Sequence, residues 1–293
     1  MTFWRVFAVV VFIAILGAAG PEPHAPRGPH VARVWLTGLL ASDPAREELL
    51  AELAGDDDVE AVLLRIDSPG GTVTGSEILF QNLRKLAEDK PVVAVLGEVA
   101  ASGGYIAALG ADRIFARGNT MTASIGVIMQ YPKLDGLMDK IGVEMHELKS
   151  SPLKAEPSPF GETPEAALEI HRAMIADGYA WFRGLVAERR GLSGAALDAV
   201  ADGRVMSGRM ALEAGLIDAL GGEAEAAAWL EAEHAVTSPV LDAEIEEEEE
   251  PMLLRLLLGQ VGFGTPESVL DPETLPMPAQ RALMGRRLMA VLP

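Results

Sequence analysis

The sequence predicts an α/β fold in which a mainly parallel sheet is flanked by helices. Between residues 31 and 235, short apolar runs alternate with segments whose leucines recur at helical spacing. The apolar runs are short and continuous, which is typical of buried strands. The chain has 293 residues and is 49% hydrophobic, enough to bury a large core. Repeated strand–helix–strand units of this kind favour parallel strands with helices packed over them.

The elements follow one another in a regular order. A strand in "HVARVWLTG" precedes a helix in "DPAREELLAELAGDDD", where Asp43 is the expected N-cap before Pro44. A strand in "VEAVLLRID" ends in a turn, "SPGG", and a helix in "GSEILFQNLRKLAED" follows. Next come a strand in "PVVAVLG", a short helix in "GGYIAALGA" and a strand in "DRIFA". The last long helix covers "PEAALEIHRAMIADGYAWFRGLVAERRG", with Thr163 as its cap and Pro164 at its first position.

Both ends of the chain differ in composition from this main domain at 31–235. Residues 1–20 contain Arg5 and then an apolar run, which predicts a signal anchor or a cleaved signal peptide. Either reading places the main domain outside the cytoplasm, whereas a buried helix of a soluble protein is the third reading. Residues 21–30 form a Pro-rich spacer. Residues 236–251 form an acidic linker, and residues 252–293 form an apolar C-terminal tail.

Composition excludes several classes of partner. The net charge is −19, from 24 basic and 43 acidic residues, which argues against nucleic acid and against a polybasic membrane patch. Cysteine is absent, so disulfides and thiolate metal sites are excluded. The absence of cysteine does not identify the compartment.

Two glycine turns make Ser102 the candidate nucleophile. Ser102 follows a buried strand and opens a helix, so the N–H groups of Gly103 and Gly104 are unpaired first-turn donors. Gly71 lies in the other turn, where its N–H is free to face a carbonyl oxygen. Taken alone, each turn has an ordinary structural role, and Ser102 is equally an N-cap. Together, at the carboxyl ends of two strands, they favour an oxyanion hole.

The base that a nucleophilic serine requires is not adjacent in sequence. The five histidines are His24, His30, His146, His171 and His234. Among these, His146 falls in the main domain near a plausible strand, "GVEMHELKS". A lysine replaces histidine as base when burial lowers its pKa. The residues alone leave Lys149 and Lys154 as candidates and do not choose between them.

Five stretches resemble the signal peptide peptidase A family of membrane-associated Ser/Lys peptidases. They are "IDSPGG", "EVAASGGYIAALGADRIFA", "TMTASIGVIM", "LKSSPLKAEPSPF" and "ADGRVMSGRMALEAGLIDALGG". The resemblance covers roughly Val34 to Ala227 in the family's order. "SPGG" alone is weak, because Clp-type proteases and crotonases share it, whereas "ASGGY" followed by "K-S-x-x-x-K" is specific.

The resemblance implies a Clp/crotonase-like spiral of βαβ units and a role for each site residue. Ser102 would be the nucleophile and Lys154 the general base. Ser124 would hold the lysine amine, in a motif where Ala123 replaces the family's glycine. The N–H groups of Gly71 and Gly103 would form the oxyanion hole. The implied acyl transfer uses no cofactor and no metal ion.

The resemblance also implies assembly, location and substrate. By this resemblance, Ser102 of one subunit would pair with Lys154 of a neighbour, in a closed homo-oligomeric ring with its sites facing inward. The peptidase domain would stand on the extracytoplasmic side of the cytoplasmic membrane, held by a single N-terminal anchor, or be secreted after cleavage. The substrates would be cleaved signal peptides or other unfolded apolar segments, cut at small or apolar residues.

Several alternatives remain open at the level of sequence. A crotonase-type acyl-CoA enzyme would share the fold and the glycine turns but would need neither an anchor nor a Ser/Lys pair. A Clp-type protease would need a histidine about one strand beyond Ser102, and residues 120–130 contain none. A non-catalytic membrane scaffold is a third possibility. Within the family, the substrate could be a specific membrane protein or a phage-type capsid component, although the apolar N-terminus disfavours the capsid. The C-terminal tail would occupy an apolar cleft or pack on the surface.

Overall fold

The computed structural model describes residues 28–243, and an eight-stranded sheet forms their centre. The strands are β1 His30–Leu40, β2 Val59–Gly71, β3 Val92–Ala101, β4 Arg113–Ala116, β5 Met121–Ala123, β6 Val205–Ser207, β7 Ala219–Leu220 and β8 Val240–Asp242. Their main order is β6-β5-β3-β2-β1-β8, while β4 pairs with β3 and β7. Within this sheet the β5–β6 pairing is antiparallel and the others are parallel. The predicted α/β class with a mainly parallel sheet is therefore confirmed.

Helices cover both faces of the sheet. They are α1 Pro44–Gly55, α2 Val73–Asp89, α3 Gly103–Leu109, α4 Asp135–Ile141, α5 Glu165–Arg190, α6 Gly194–Val200, α7 Gly208–Glu213 and α8 Glu223–His234. Side chains alternate between the faces of β2: Leu64 packs in the cluster that includes α2, α3 and α5, and Leu63 packs against α8. Because both faces are covered, the middle parts of the central strands, such as 61–64 of β2 and 92–96 of β3, are buried and apolar.

Strand β3 has two neighbours on the same edge. Its first half pairs with β4, and its second half, Val99–Ala101, pairs with β5. Between the halves, the register with β2 shifts, and the carboxylate of Asp67 accepts the N–H of Val99 at 3.1 Å and of Glu98 at 3.4 Å. A Cβ on Gly97 would lie 2.7 Å from Asp67 Oδ2, so only glycine fits there. The side chain of Asp67 thus replaces the missing ladder bonds and lets β3 turn away towards β5.

Several local expectations match the structure closely. The side chain of Asp43 accepts the N–H of Arg46 at 3.3 Å, and Pro44 opens α1, as the sequence predicts. Helix α5 begins at Glu165 with Pro164 as its N-cap, one residue later than expected. Strand β8 pairs with β1. The sheet therefore continues past residue 235, into the segment 236–251 interpreted as a linker.

The predicted "SPGG" turn is part of strand β2, which continues to Gly71. Prediction of a turn at Pro69 was wrong because the strand carries a bulge there. The pairing with β1 shifts between Thr37 and Leu39, opposite the positive φ of Gly38 (65°). A proline is tolerated at a bulge because no ladder bond to its nitrogen is required.

The predicted strand in "GVEMHELKS" was also wrong. Residues 143–149 form no strand or helix, and Val143, Met145 and Leu148 are exposed. Alternating apolar residues suggested a strand, but alternation supplies no hydrogen-bonding neighbour, and this segment pairs with no strand of the described sheet. His146 is therefore not a core histidine: its side chain is 85% exposed and its Nε2 lies 3.4 Å from Glu144 Oε2.

No helix within residues 28–243 combines the length and the apolar character needed to cross a bilayer. The predicted anchor or signal peptide at 1–20 and the tail at 252–293 lie outside the described residues. So do most of the spacer and the second half of the acidic segment.

We expect Tyr105→Phe to lower the free energy of unfolding by about 1–3 kcal/mol. Tyr105 is fully buried in α3, and its hydroxyl donates to the carbonyl of Leu216 at 2.7 Å. Burial raises the pKa of the Tyr105 phenol well above its usual range, so the group remains a donor. The variant leaves the Leu216 carbonyl buried without this donor. Urea denaturation measures the change, and Tyr131→Phe, at a 40% exposed tyrosine, is the matched control. Equal effects of the two variants would contradict the assignment.

Candidate active site

The end of strand β2 and the start of helix α3 touch through glycine backbone. A Cβ on Gly103 would lie 2.9 Å from the nitrogen of Gly71. Gly70 has a φ of 124°, and a Cβ there would lie 3.0 Å from the Cβ of Ser102. A Cβ on Gly71 would lie 1.8 Å from the carbonyl oxygen of Leu40. These approaches admit no side chain, so the glycines allow the end of β2 and the start of α3 to meet.

Ser102 has a strained backbone conformation. Its φ of 53° and ψ of −117° lie outside the regions that residues with side chains normally occupy. Its N–H donates to the carbonyl of Ala123 at 2.9 Å, and its own carbonyl accepts the N–H groups of Tyr105 and Ile106. Ser102 occupies the N-cap position of α3, but its hydroxyl makes no capping hydrogen bond. The strain and the uncommitted hydroxyl argue against a purely structural cap.

The serine opens onto a small cleft of about 70 Å³. The residues that line it are Gly71, Val73, Ser76, Ser102, Gly103, Ile106, Gly126, Val127, Ile128, Gly178, Trp181 and Phe182. Apart from Ser76, Ser102 and the indole N–H of Trp181, the lining side chains are apolar. The cleft therefore suits an uncharged, apolar ligand.

Two backbone donors border this cleft. The N–H of Thr72 donates to Leu40 in strand β1, so the N–H of Gly71, one residue earlier, faces away from β1. Gly103 is the first residue of α3, and its N–H has no acceptor within the helix. The positive end of a helix favours negative charge at this point. The two N–H groups can stabilise an oxyanion formed next to Ser102.

Two buried serines that sequence reasoning missed support the glycine turns. The Ser68 hydroxyl donates to Gly38 at 2.6 Å and accepts the N–H of Gly70 at 3.1 Å. The Ser76 hydroxyl donates to the carbonyl of Thr72 and lies against Gly103. Serine two residues before a turn glycine is a known local motif, which could have identified Ser68. Ser76 has no such signal, because its contact with Gly103 joins distant parts of the chain.

Ser124 lies directly after β5, whose last residue, Ala123, accepts the N–H of Ser102. The N–H of Ser124 donates to the carbonyl of Arg204 at 2.9 Å. Ala123 is fully buried with a φ of 66°, a conformation that favours glycine. The alanine that departs from the family motif therefore occupies a position where glycine would be less strained.

The two candidate lysines lie in different environments. Lys149 Nζ contacts Glu147 Oε2 at 2.5 Å and Glu156 Oε1 at 2.7 Å. The hydrogen bond to Glu147, then that to Glu156, raises the pKa of Lys149. The pKa of Glu156 is lowered mainly by the hydrogen bond from Lys149 and next by the hydrogen bond from the N–H of Ser158. Lys149 is thus held as a cation, which cannot accept a proton.

Lys154 is exposed and takes part in none of the ion pairs found among the described residues. It does not line the cleft of its own chain. The structure therefore brings Ser102, Gly71 and Gly103 together at the cleft. Ser124 follows Ala123, which accepts the N–H of Ser102. Lys154 is not part of this group. Within residues 28–243, no cluster of three histidine or carboxylate side chains is placed to hold a metal ion.

A strained serine at a helix start, beside glycine N–H groups in an open cleft, is typical of hydrolases with a serine nucleophile. The sequence comparisons agree with this class. The model described as Peptidase family S49 matches residues 84–237. The chain belongs to this family and is a serine protease.

The relatives are similar over most of the described domain. A putative protease of Synechocystis sp. is 36% identical over 230 residues, or 78% of this chain and 83% of the relative. Protease 4 of Haemophilus influenzae is 34% identical over 242 residues, or 80% of this chain but 38% of the relative. A putative signal peptide peptidase SppA of Enterococcus faecium is 34% identical over 189 residues, or 64% and 55% of the two chains.

We expect Gly103→Ala to lower kcat for peptide hydrolysis by about 10²-fold or more, the usual cost of one lost oxyanion donor. The new Cβ would lie 2.3 Å from Ser76 Oγ and 2.9 Å from the Gly71 nitrogen, so the two donors must move apart. Steady-state kinetics give kcat, and circular dichroism checks the fold. Gly55→Ala is the control, because nothing lies within 4 Å of its Cβ position. A folded Gly103→Ala protein with normal kcat would contradict this view.

Proposed function

We propose that the protein is a Ser/Lys endopeptidase that degrades cleaved signal peptides and other unfolded apolar peptides at the membrane. The observation that carries this proposal is the strained Ser102 between Gly71 and Gly103 in an apolar cleft. An extended peptide can approach Ser102 closely, because glycine and alanine surround it.

The reaction begins when the neutral amine of Lys154 removes the proton of the Ser102 hydroxyl. The serine oxygen attacks the scissile carbonyl carbon, and the N–H groups of Gly71 and Gly103 stabilise the resulting oxyanion. Lys154 returns the proton to the departing amine, which leaves an acyl-enzyme. Water then loses a proton to Lys154 and attacks the ester, and the proton returns to Ser102 as the peptide acid departs. Ser124 orients the lysine amine through its hydroxyl.

The family motif implies Lys154 as the base, and the charges around the two lysines support Lys154 over Lys149. Two carboxylates hold Lys149 in its protonated form, so its proton would have to leave against their attraction. Lys154 has no such partner within the described residues. Burial next to Ser102 would favour its neutral form, because desolvation disfavours a charged amine.

We propose that Lys154 reaches the Ser102 of a neighbouring subunit in a closed homo-oligomer. Lys154 lies outside the cleft of its own chain, in a segment that exposes large apolar side chains. Ile128, Ile141 and Leu148 are 75%, 64% and 104% exposed. Exposed apolar surface of this extent is typical of a protein–protein interface. Assembly would bury these side chains, remove Lys154 from water and turn the sites inward.

The membrane location follows from the N-terminal segment at 1–20, interpreted as an anchor that leaves the peptidase domain on the extracytoplasmic side. Signal peptides contain an apolar core of about 7–15 residues. The apolar walls of the cleft suit such segments, and one relative is named a putative signal peptide peptidase.

We expect Ser102→Ala and Lys154→Ala each to lower kcat/KM for an apolar peptide by at least about 10³-fold, since both groups move the same proton. Lys149→Ala is the matched control and should keep most of the activity. Circular dichroism and gel filtration check the fold and the assembly. Retained activity in Lys154→Ala, or complete loss in a correctly assembled Lys149→Ala protein, would contradict the choice of base.

Mixing the two inactive proteins tests whether the dyad crosses the subunit interface. When Ser102→Ala and Lys154→Ala subunits are unfolded together and reassembled, some interfaces combine an intact serine with an intact lysine. For an equimolar mixture with random pairing of adjacent subunits, we expect activity to return to about one quarter of the wild-type value. A dyad within one chain would give no recovery at any mixing ratio.

A further inference from the structure

We propose that Gly178 sets the depth of the pocket that receives the substrate side chain preceding the scissile bond. The side chain that this pocket receives is apolar and of leucine or methionine size. This inference rests on the proposed peptidase function of Ser102.

Gly178 lies in the wall of the Ser102 cleft, between two valines. A Cβ at this position would lie 3.6 Å from Val127 Cγ2 and 3.8 Å from Val73 Cγ1. These are ordinary van der Waals distances, so a methyl group would fit without displacing either neighbour. A larger side chain would extend past the valines into the cleft. Because Gly178 has no side chain, the space that a side chain would fill is part of the cleft.

Neither backbone conformation nor packing explains a glycine at this position. Gly178 lies in the interior of α5, a 26-residue helix, where glycine costs about 1 kcal/mol relative to alanine. Its φ is not positive, so an L-residue would adopt the same backbone. Because a methyl group also fits, close packing does not require glycine. Open volume beside Ser102 is the remaining property that glycine provides.

The other walls indicate which side chain enters this space. Ile106 and Phe182, 4% and 1% exposed, close the cleft towards the core. Trp181 lines the cleft on the same helix as Gly178. None of the residues found to line the cleft is charged. An apolar, flexible side chain that extends past Val73 and Val127 fits these walls, which points to leucine or methionine.

The test compares two synthetic peptides that differ only in having alanine or leucine before the cleaved bond. We measure kcat/KM for both with the full-length protein and confirm the cut by mass spectrometry. In Gly178→Val, the ratio of leucine to alanine cleavage should fall at least about 20-fold, since one methylene more or less in an apolar pocket is worth about 10–200-fold. Gly178→Ala should lower the ratio by a smaller factor.

The control is Gly184→Val, which changes another interior glycine of α5. Nothing lies within 4 Å of a Cβ at Gly184, and the residue is exposed. This variant should leave both rates and their ratio unchanged. If Gly178→Val is too unstable to purify, Gly178→Ala serves, because its methyl group fits the observed space.

The outcomes separate this inference from the function on which it rests. Equal loss for both peptides in a folded Gly178→Val protein, or an unchanged ratio, would overturn the role of Gly178 while cleavage still depends on Ser102. Cleavage of both peptides by Ser102→Ala at the wild-type rate would overturn the proposed function itself, and the pocket assignment with it.

Discussion

The close approach of the Gly70–Gly71 backbone to Ser102 and Gly103 is the constraint on which the site depends. A single methyl group at Gly71 or Gly103 would meet another part of the chain at 1.8 or 2.3 Å. The same contact brings the two N–H donors together and holds Ser102 in its strained conformation. The buried hydroxyls of Ser68 and Ser76 support the contact from both sides. Local strain at Ser102 persists because the surrounding backbone leaves no alternative.

The path of strand β3 through the sheet brings Ser102 to this contact. Asp67 supplies side-chain oxygens where the ladder between β2 and β3 is interrupted, so β3 can leave β4 and continue beside β5. Ala123 at the end of β5 then accepts the N–H of Ser102. Ser124 is the next residue, which explains how a motif 22 residues beyond Ser102 in the sequence lies close to it in the fold. One interruption in a ladder thus links three separate stretches of sequence.

The two lysines of the exposed segment differ in their electrostatic surroundings. Lys149 forms ion pairs with Glu147 and Glu156 and so links two parts of the segment. Lys154 extends from the same segment without a carboxylate partner among the described residues. This difference agrees with the proposed assembly, in which one subunit would supply Lys154 to the cleft of the next. A segment held by these ion pairs would let a flexible lysine reach its target at a smaller entropic cost.

The sequence by itself determined the α/β class, the Asp43 cap and the choice of Ser102, Gly71 and Gly103 as candidates, because apolar periodicity, capping and glycine turns are local properties. It could not determine that "SPGG" continues strand β2 or that "GVEMHELKS" is exposed, because both depend on hydrogen-bonding neighbours far along the chain. Nor could it choose between Lys149 and Lys154 without the resemblance, or find Ser76 and Gly178. Only the tertiary structure shows the bulge in β2, the exposure of residues 143–149, and the contacts of Ser76 and Gly178 beside Ser102, because these depend on distant segments that meet in the fold.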